Sequence, residues 1–142
     1  MKGNITADDL GLTMERKERV LFKWFLASYL FGKRIQQGVA KRTWEVFMEH
    51  EMDTPQKIAG QSWQELVDLL DEGHYRRYDE STARNMLDMS HELIRDYHGN
   101  LLNMYDGCGG EKEFKKRLQK LKGVGPKTAE IFMREAGPVL VT

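Results

Sequence analysis

Residues 20–31 form a segment that is apolar on nearly every face of the helix that its sequence favours. A helix without a polar face is stable in water only when other elements surround it, so this segment predicts a central helix in a larger bundle. Apolar residues recur at helical spacing through most of the remaining chain, and no convincing alternating strand pattern occurs. The length of 142 residues suits one domain, so we expect residues 1–142 to form a single all-α domain.

Local signals divide the chain into further helices. Ser62 and Glu65 are spaced as a capping box, and the helix that they open should end near Gly73. Ser81 is predicted to cap a long helix that Gly99 ends. Further helices are predicted over residues 15–31, 39–50, 81–98 and 112–120. Two more are predicted to open at Pro55, with Thr54 as the cap, and at Pro126, and residues 100–110 are predicted to be a loop.

The charged residues are balanced in number but not in position. The formal net charge is zero, so bulk charge does not indicate a protein that coats nucleic acid. Residues 111–127 nevertheless hold seven Lys or Arg residues and two Glu residues, a local excess of +5. Such a run is either a solvated helix face or a patch that attracts phosphate.

Other features of the sequence exclude classes of protein. No apolar run is long enough to span a bilayer, and the polar start, with Asp8 and Asp9, is unlike a signal peptide. We interpret the lone cysteine, Cys108, as a free thiol, because one cysteine can form neither an intrachain disulfide nor a four-cysteine iron–sulfur cluster. We therefore expect a cytoplasmic protein without a membrane partner.

Residues 121–129 read Leu-Lys-Gly-Val-Gly-Pro-Lys-Thr-Ala and connect the basic helix to the next one. Gly123 and Gly125 permit a positive φ or a close approach of another backbone, and Pro126 suits the first position of a helix. The free N–H groups at the start of that helix lie at the positive end of its dipole and can bind an anion such as a DNA phosphate. The alternative is a tight turn whose glycines only permit packing.

The same nine residues resemble the helix-hairpin-helix of the endonuclease III-like DNA glycosylases, whose pattern is leucine-x-glycine-valine-glycine-x-lysine-threonine-alanine. Residues 25–29, 53–59 and 83–100 are similar to further family segments, in the family's order, so the resemblance covers roughly residues 20–142. It implies a six-helix, barrel-like orthogonal bundle that contains the hairpin over residues 112–135.

The resemblance also implies which residues of the hairpin contact its ligands. The set that would bind the phosphate backbone of duplex DNA is Lys122, Gly123, Val124, Gly125, Lys127 and Thr128. Main-chain carbonyls of Gln119, Leu121 and Val124 would bind a monovalent cation, K⁺ or Na⁺, and no cofactor is required. Tyr29 matches the residue that the family inserts into the gap left by a flipped base, and the alternative is a core aromatic.

Lys127 is the candidate catalytic residue. In bifunctional members of the family, the lysine at this position attacks the sugar C1′, expels the damaged base and leads to strand cleavage. A lysine in the first turn of a helix lies at the positive end of the dipole, which disfavours its protonated form. A neutral amine is the nucleophile that Schiff-base chemistry needs. The alternative is that Lys127 only contacts phosphate.

The family also uses an aspartate, which stabilises the cationic sugar or helps to activate the nucleophile. It would fall at Thr142 or just beyond it, so we expect the catalytic loop and the helices after it to be absent, as in a fragment or an aspartate-free relative. The nearest carboxylates, on Glu130 and Glu135, are predicted to be surface groups. Residues 73–83 form a longer connection than in endonuclease III, whose side chains would stack on bases or contact phosphate; the alternative is a solvated loop.

Three functions follow as hypotheses. The first is a monomeric, nucleoid-associated DNA glycosylase or abasic-site lyase of base excision repair, which acts on damaged or abasic sites in duplex DNA. The second is a non-catalytic DNA-binding module that keeps the hairpin as a phosphate grip. The third is a helical protein-interaction domain without nucleic acid.

Overall fold

The computed structural model describes residues 4–141, and every regular element within them is helical. The elements are a 3₁₀ turn at Asp8–Leu10 and the helices α1 Glu18–Phe31, α2 Gln37–Glu49, α3 Pro55–Ala59, α4 Trp63–Glu72, α5 Asp79–Tyr97, α6 Leu101–Asp106, α7 Glu111–Leu118 and α8 Pro126–Leu140. The prediction of an all-α fold is confirmed, whereas the barrel-like arrangement stays a prediction. In the described range, no helix is both long and apolar enough to cross a bilayer.

Helix α1 lies at the centre of the bundle, as its apolar surface predicts. It packs against α2, α6 and α8, and its residues from Leu21 to Leu30 are buried apart from Lys23. The indole of Trp24 donates a hydrogen bond to the carbonyl oxygen of Phe132 in α8, with an N–O distance of 3.1 Å. The ring of Phe25 meets the ring of Phe132 edge-on at 5.5 Å between centroids. These contacts fix α8, and with it the hairpin, to the central helix.

Three local predictions of helix ends are confirmed. The hydroxyl of Thr54 accepts a hydrogen bond from the N–H of Lys57 at the start of α3. Ser62 and Glu65 form the capping box of α4, with both of its reciprocal hydrogen bonds present. Gly99 follows the last turn of α5 with a φ of +73°, and its N–H bonds back to the carbonyl of Leu93. Each signal acts within a few residues, so the local sequence is sufficient to specify it.

Two predicted boundaries are wrong. Helix α5 begins at Asp79 and Tyr78 is its N-cap, so Ser81 lies inside the helix instead of capping it. Residues 101–106 form α6 instead of a loop, because Asn100 caps the helix and the carboxylate of Glu18 accepts hydrogen bonds from its first two N–H groups. Burial raises the pKa of Glu18, while those two backbone hydrogen bonds oppose the rise.

Helix α8 extends beyond the predicted end of the hairpin at residue 135. It continues through Pro138 to Leu140, although proline lacks the N–H that would bond to the preceding turn. Ala136, Gly137 and Leu140 are buried in this last turn, and the carbonyl of Leu140 accepts a hydrogen bond from Arg16. Packing therefore continues the helix through a stretch that its sequence alone would end. Thr142, the predicted position of the family aspartate, lies outside the described residues.

Candidate nucleic-acid interface

The turn between α7 and α8 separates apolar from exposed residues. Leu121 and Val124 are buried, and the N–H of Val124 bonds to the carbonyl of Leu121 at 3.1 Å to close the turn. Gly123 has a φ of +81°, which favours glycine, whereas the backbone of Gly125 is extended. The side chain of Lys122 is exposed. The turn thus inserts its aliphatic residues into the core and leaves its glycine backbone and lysine on the outside.

Several backbone donors of this turn lack acceptors. Within the described part of the chain, the N–H groups of Gly123, Gly125, Lys127 and Thr128 make no hydrogen bond, and no side chain caps α8. The first intrahelical bond runs from the N–H of Ala129 to the carbonyl of Gly125. Free donors at a helix start lie at the positive end of the helix dipole, which favours an anion. The hairpin therefore has free N–H donors at the start of α8, and the binding of an anion by them stays a prediction.

Three hydrogen bonds from elsewhere in the bundle hold the turn in place. The hydroxyl of Tyr29 donates to the carbonyl of Lys122 with an O–O distance of 2.6 Å. The ammonium of Lys33 donates to the carbonyl of Gly123 at 3.2 Å, and the carboxylate of Glu92 accepts from the N–H of Lys122 at 2.8 Å. Because these partners come from α1, the segment after α1, and α5, the turn is connected to three separate parts of the fold.

The predicted contact of Tyr29 with DNA is wrong for this conformation, and the alternative of a core aromatic applies. Its side chain has 0% exposure, and its ring lies edge-on to the ring of Phe25. Burial raises its pKa above the usual range, and the nearby charge of Glu92 adds to the effect. Tyr29 therefore positions the hairpin through the carbonyl of Lys122 and does not reach the surface.

The two predicted DNA-contacting residues in the first turn of α8 differ in exposure. Lys127 is exposed and lies at the rim of a small pocket of about 100 Å³, beside Phe31 and Arg134. The side chain of Thr128 is buried against Gly32, where any Cβ would overlap the threonine hydroxyl. Thr128 can therefore face a ligand only through its backbone N–H, and its predicted contact with the phosphate backbone stays a prediction.

A cleft of about 320 Å³ lies beside the hairpin turn, between the segment after α1 and the first turns of α5. Lys33 is half-buried there, and burial lowers its pKa. Arg34 is exposed and makes no ion pair within residues 4–141. The residues that line the cleft are Gly32, Lys33, Arg34, Tyr78, Ser81, Thr82 and Asn85. Sequence reasoning missed this pair of basic residues, although they directly follow the central helix.

The connection over residues 73–83 combines a core residue with exposed basic side chains, and its contact with bases or phosphate stays a prediction. Tyr75 is buried in the core, and burial raises its pKa to about 12. His74, Arg76 and Arg77 are exposed, and the guanidinium of Arg77 lies 5.2 Å from the ring centroid of Tyr78. Within this connection, Tyr75 thus belongs to the core, and the basic side chains lie on the outer surface.

The backbone carbonyls predicted to bind a monovalent cation are chemically suited to it. Those of Gln119 and Val124 accept no hydrogen bond within the described residues, and that of Leu121 accepts one, which leaves it a second lone pair. No group of three or more His, Cys, Asp or Glu side chains that could hold a metal occurs in residues 4–141. Any cation at the hairpin would thus depend on main-chain oxygens.

The carboxylates of α8 do not complete a catalytic pair with Lys127. Glu130 is exposed and Glu135 is half-buried, and neither forms an ion pair with Lys127 among the described residues. The lone cysteine of the chain, Cys108, is a free thiol, and burial raises its pKa.

No protein-family model, curated protein or solved structure matches this chain. The resemblance to the endonuclease III-like glycosylases therefore depends on the residues of the sequence alone. The geometry of the hairpin and of the neighbouring cleft supplies independent grounds for a function.

Proposed function

We propose that this protein binds duplex DNA through the α7–α8 hairpin and acts in base excision repair, as a DNA glycosylase or abasic-site lyase does. The observation that carries the proposal is the group of unpaired N–H donors on Gly123, Gly125, Lys127 and Thr128. Backbone donors at a helix start bind phosphate irrespective of base sequence, so they suit a protein that searches duplex DNA for rare sites.

Charge around the turn supports the same ligand. Lys122 and Lys127 are exposed on either side of the glycine backbone, and neither forms an ion pair in the part of the chain that the structure describes. Basic residues of α7 and of the segment just after it extend the positive surface from the turn; they are Lys112, Lys115, Lys116, Arg117 and Lys120. Arg117 is the exception in this group, because its guanidinium pairs with Glu113 at 2.8 Å. A phosphate backbone would therefore meet several cations that have no other partner.

Salt dependence of DNA binding tests the proposal directly. Fluorescence anisotropy with a labelled duplex should show an affinity that falls steeply as salt rises. In Lys122→Ala, the slope of log affinity against log salt should decrease by about 1, since one phosphate contact is lost. Lys17→Ala is the matched control, because this exposed lysine directly precedes the first turn of α1. The hairpin contacts the last turns of α1, roughly 20 Å away along a helix of that length.

The two other hypotheses predict different results. A helical protein-interaction domain would show no salt-sensitive binding, and that result would overturn the proposal. A non-catalytic DNA-binding module would bind DNA but form no covalent adduct with an abasic site under borohydride. This second candidate is favoured by the exposure of Lys127 and by the lack of a carboxylate in ion-pair contact with it among the described residues.

The role of Lys127 within this proposal follows from its position. As the first residue after Pro126 it carries one of the unpaired N–H groups, and its exposed side chain can reach a phosphate next to them. If the hairpin also binds K⁺ or Na⁺, the carbonyls of Gln119, Leu121 and Val124 would hold the ion, which would add positive charge near the DNA backbone.

A further inference from the structure

We propose that the surface beside the hairpin turn binds a single-stranded segment of DNA, so that the substrate of this protein is duplex DNA from which a single strand extends. The inference rests on the duplex-binding function proposed above and names its class of substrate. The surface consists of three arginines and two aromatic rings, and we call it the arginine strip; its residues are Arg34, Arg77, Arg84, Tyr78 and Trp63.

The arginine strip begins at the hairpin turn. Lys33 donates a hydrogen bond to the carbonyl of Gly123 at 3.2 Å, and Arg34 is the next residue along the chain. Arg34 and Tyr78 both line the cleft of about 320 Å³ beside the turn. The guanidinium of Arg77 lies 5.2 Å from the ring centroid of Tyr78. A strand that leaves a phosphate bound at the turn would therefore meet two arginines and one ring of the strip.

Helix α5 continues the strip away from the turn. Ser81 lines the cleft, and Arg84 follows it by three residues, so the two are neighbours on the surface of the helix. The guanidinium of Arg84 lies 6.0 Å from the ring centroid of Trp63 at the start of α4. The indole N–H of Trp63 donates to the carbonyl of Glu80 at 3.0 Å, which fixes the ring beside the first turn of α5. The strip thus holds two arginine–aromatic pairs, one at the cleft and one next to it.

The arginines of the strip have no carboxylate partners. Arg34, Arg77 and Arg84 are exposed, and none of them forms an ion pair in residues 4–141. Glu80 and Asp88 lie four residues to either side of Arg84, at a spacing that permits a pair, and neither makes one with it. Elsewhere in the described chain, the arginines that pair with a carboxylate are Arg16, Arg19, Arg42, Arg95 and Arg117. The strip therefore offers cations whose charge an external anion can neutralise.

The aromatic rings favour a single strand over a second contact with duplex DNA. The bases of a duplex stack on each other, and a side chain beside the duplex meets mainly phosphates. The bases of a single strand are free to stack on aromatic side chains, and arginine adds a cation–π contribution and a phosphate contact. The side chains of Tyr78 and Trp63 are half-buried, so part of each ring remains at the surface. Each arginine–aromatic pair can thus bind one base and the phosphate next to it.

Fluorescence anisotropy with matched DNA probes tests the assignment. The probes are a blunt duplex, the same duplex with a single-stranded extension of about six nucleotides at its 3′ or its 5′ end, and the extension alone. The wild-type protein should bind one of the extended duplexes about tenfold more tightly than the blunt one, since stacking of a base on an aromatic residue has an effect of that order. An extension made of tetrahydrofuran units keeps the phosphates but has no bases, so it should lose most of this gain.

Variants separate the strip from the hairpin. Arg77→Ala combined with Arg84→Ala should bring the affinity for the extended duplex close to that for the blunt duplex, while binding to the blunt duplex stays within about twofold of wild type. Arg95→Ala is the matched control and should retain the gain, because this arginine is exposed on the same helix but pairs with Asp96 at 2.8 Å. Thermal melts of each variant show whether it is folded.

The outcomes distinguish this inference from the proposed function. Equal affinities for the blunt and both extended duplexes would overturn the inference and leave duplex binding standing. A gain that persists in full with the tetrahydrofuran extension, or in the double arginine variant, would also overturn it. Equal weakening of blunt and extended duplexes in that variant would assign the arginines to the duplex instead. Binding to the single strand without binding to the blunt duplex would overturn the proposed function but not the role of the strip, and absence of binding to every probe would overturn both.

Discussion

Replacement of Gly123 by alanine should destabilise the protein through two separate effects. The φ of +81° is strained for any residue with a Cβ, at about 1–2 kcal/mol. The new Cβ would overlap the hydroxyl of Tyr29 and lie 2.7 Å from its Cζ, so the buried ring must move. Movement breaks the hydrogen bond to the Lys122 carbonyl, which costs about 1–3 kcal/mol when a buried group is left unpaired. Together, we expect a loss of about 2–5 kcal/mol in the free energy of unfolding.

Gly125→Ala is the matched control two residues along the same turn. The backbone of Gly125 is extended, with a φ of −101°, and no atom lies within 4 Å of the position that a Cβ would take. Alanine there should leave stability unchanged or raise it by about 0.4–1 kcal/mol, because it restricts the unfolded chain. Both variants should be compared with wild type by urea denaturation and by thermal melting followed by circular dichroism.

The two variants should differ clearly in melting temperature. At roughly 3 °C per kcal/mol for a chain of this size, Gly123→Ala should lower Tm by about 6–15 °C, and Gly125→Ala should not lower it. Equal melting temperatures for the two variants would refute the reasoning, as would a Gly123→Ala variant as stable as wild type. Under the proposed function, Gly125→Ala should still weaken DNA binding, because its methyl group would stand on the open side of the turn where a phosphate would approach.

Three further changes test other parts of the structure. Tyr29→Phe should lose about 1–2 kcal/mol in urea denaturation, because the carbonyl of Lys122 loses its buried partner, and an unchanged midpoint would contradict that role. Ser62→Ala should cost about 1 kcal/mol through loss of the α4 cap, and a melt identical to wild type would count against it. Burial disfavours the Asp53 carboxylate, but hydrogen bonds from Arg19 and a neighbouring lysine outweigh it and lower its pKa. Its contribution should therefore be complete above the unfolded pKa of about 3.9 and disappear as the pH falls through the lower folded value. Asp53→Asn should be less stable near neutral pH and lose less on acidification, whereas parallel pH profiles of the urea midpoint would refute this.

Sequence reasoning predicted the parts of the fold that depend on neighbouring residues. The caps at Thr54 and Ser62 and the glycine after α5 each act over three to six residues, and the structure has all three. Helix α6 was missed because part of its cap comes from Glu18, which is 83 positions away from Leu101. A contact of that kind exists only after the chain has folded.

The candidate site likewise has some features that the local sequence specifies and others that depend on contacts between distant parts of the chain. The positive φ of Gly123 and the extended Gly125 before Pro126 follow from the local string, so the turn could be located from sequence. The role of Tyr29 could not, because its hydroxyl meets a carbonyl 93 positions along the chain. Lys33 was missed for the same reason, since its position beside the hairpin depends on how α1 and α8 pack.

The three hydrogen bonds that connect the hairpin turn to α1, to the segment after it and to α5 also affect the thermodynamics of any ligand that binds there. These bonds already restrain the backbone of the turn, so a ligand that fits this conformation would cost little conformational entropy on binding. The same restraint opposes a change in the shape of the turn toward an anion placed differently. A restrained binding surface of this kind favours ligands whose charges are spaced to match its N–H donors. Ligands with another spacing would bind only if the turn changed shape, so they would bind more weakly.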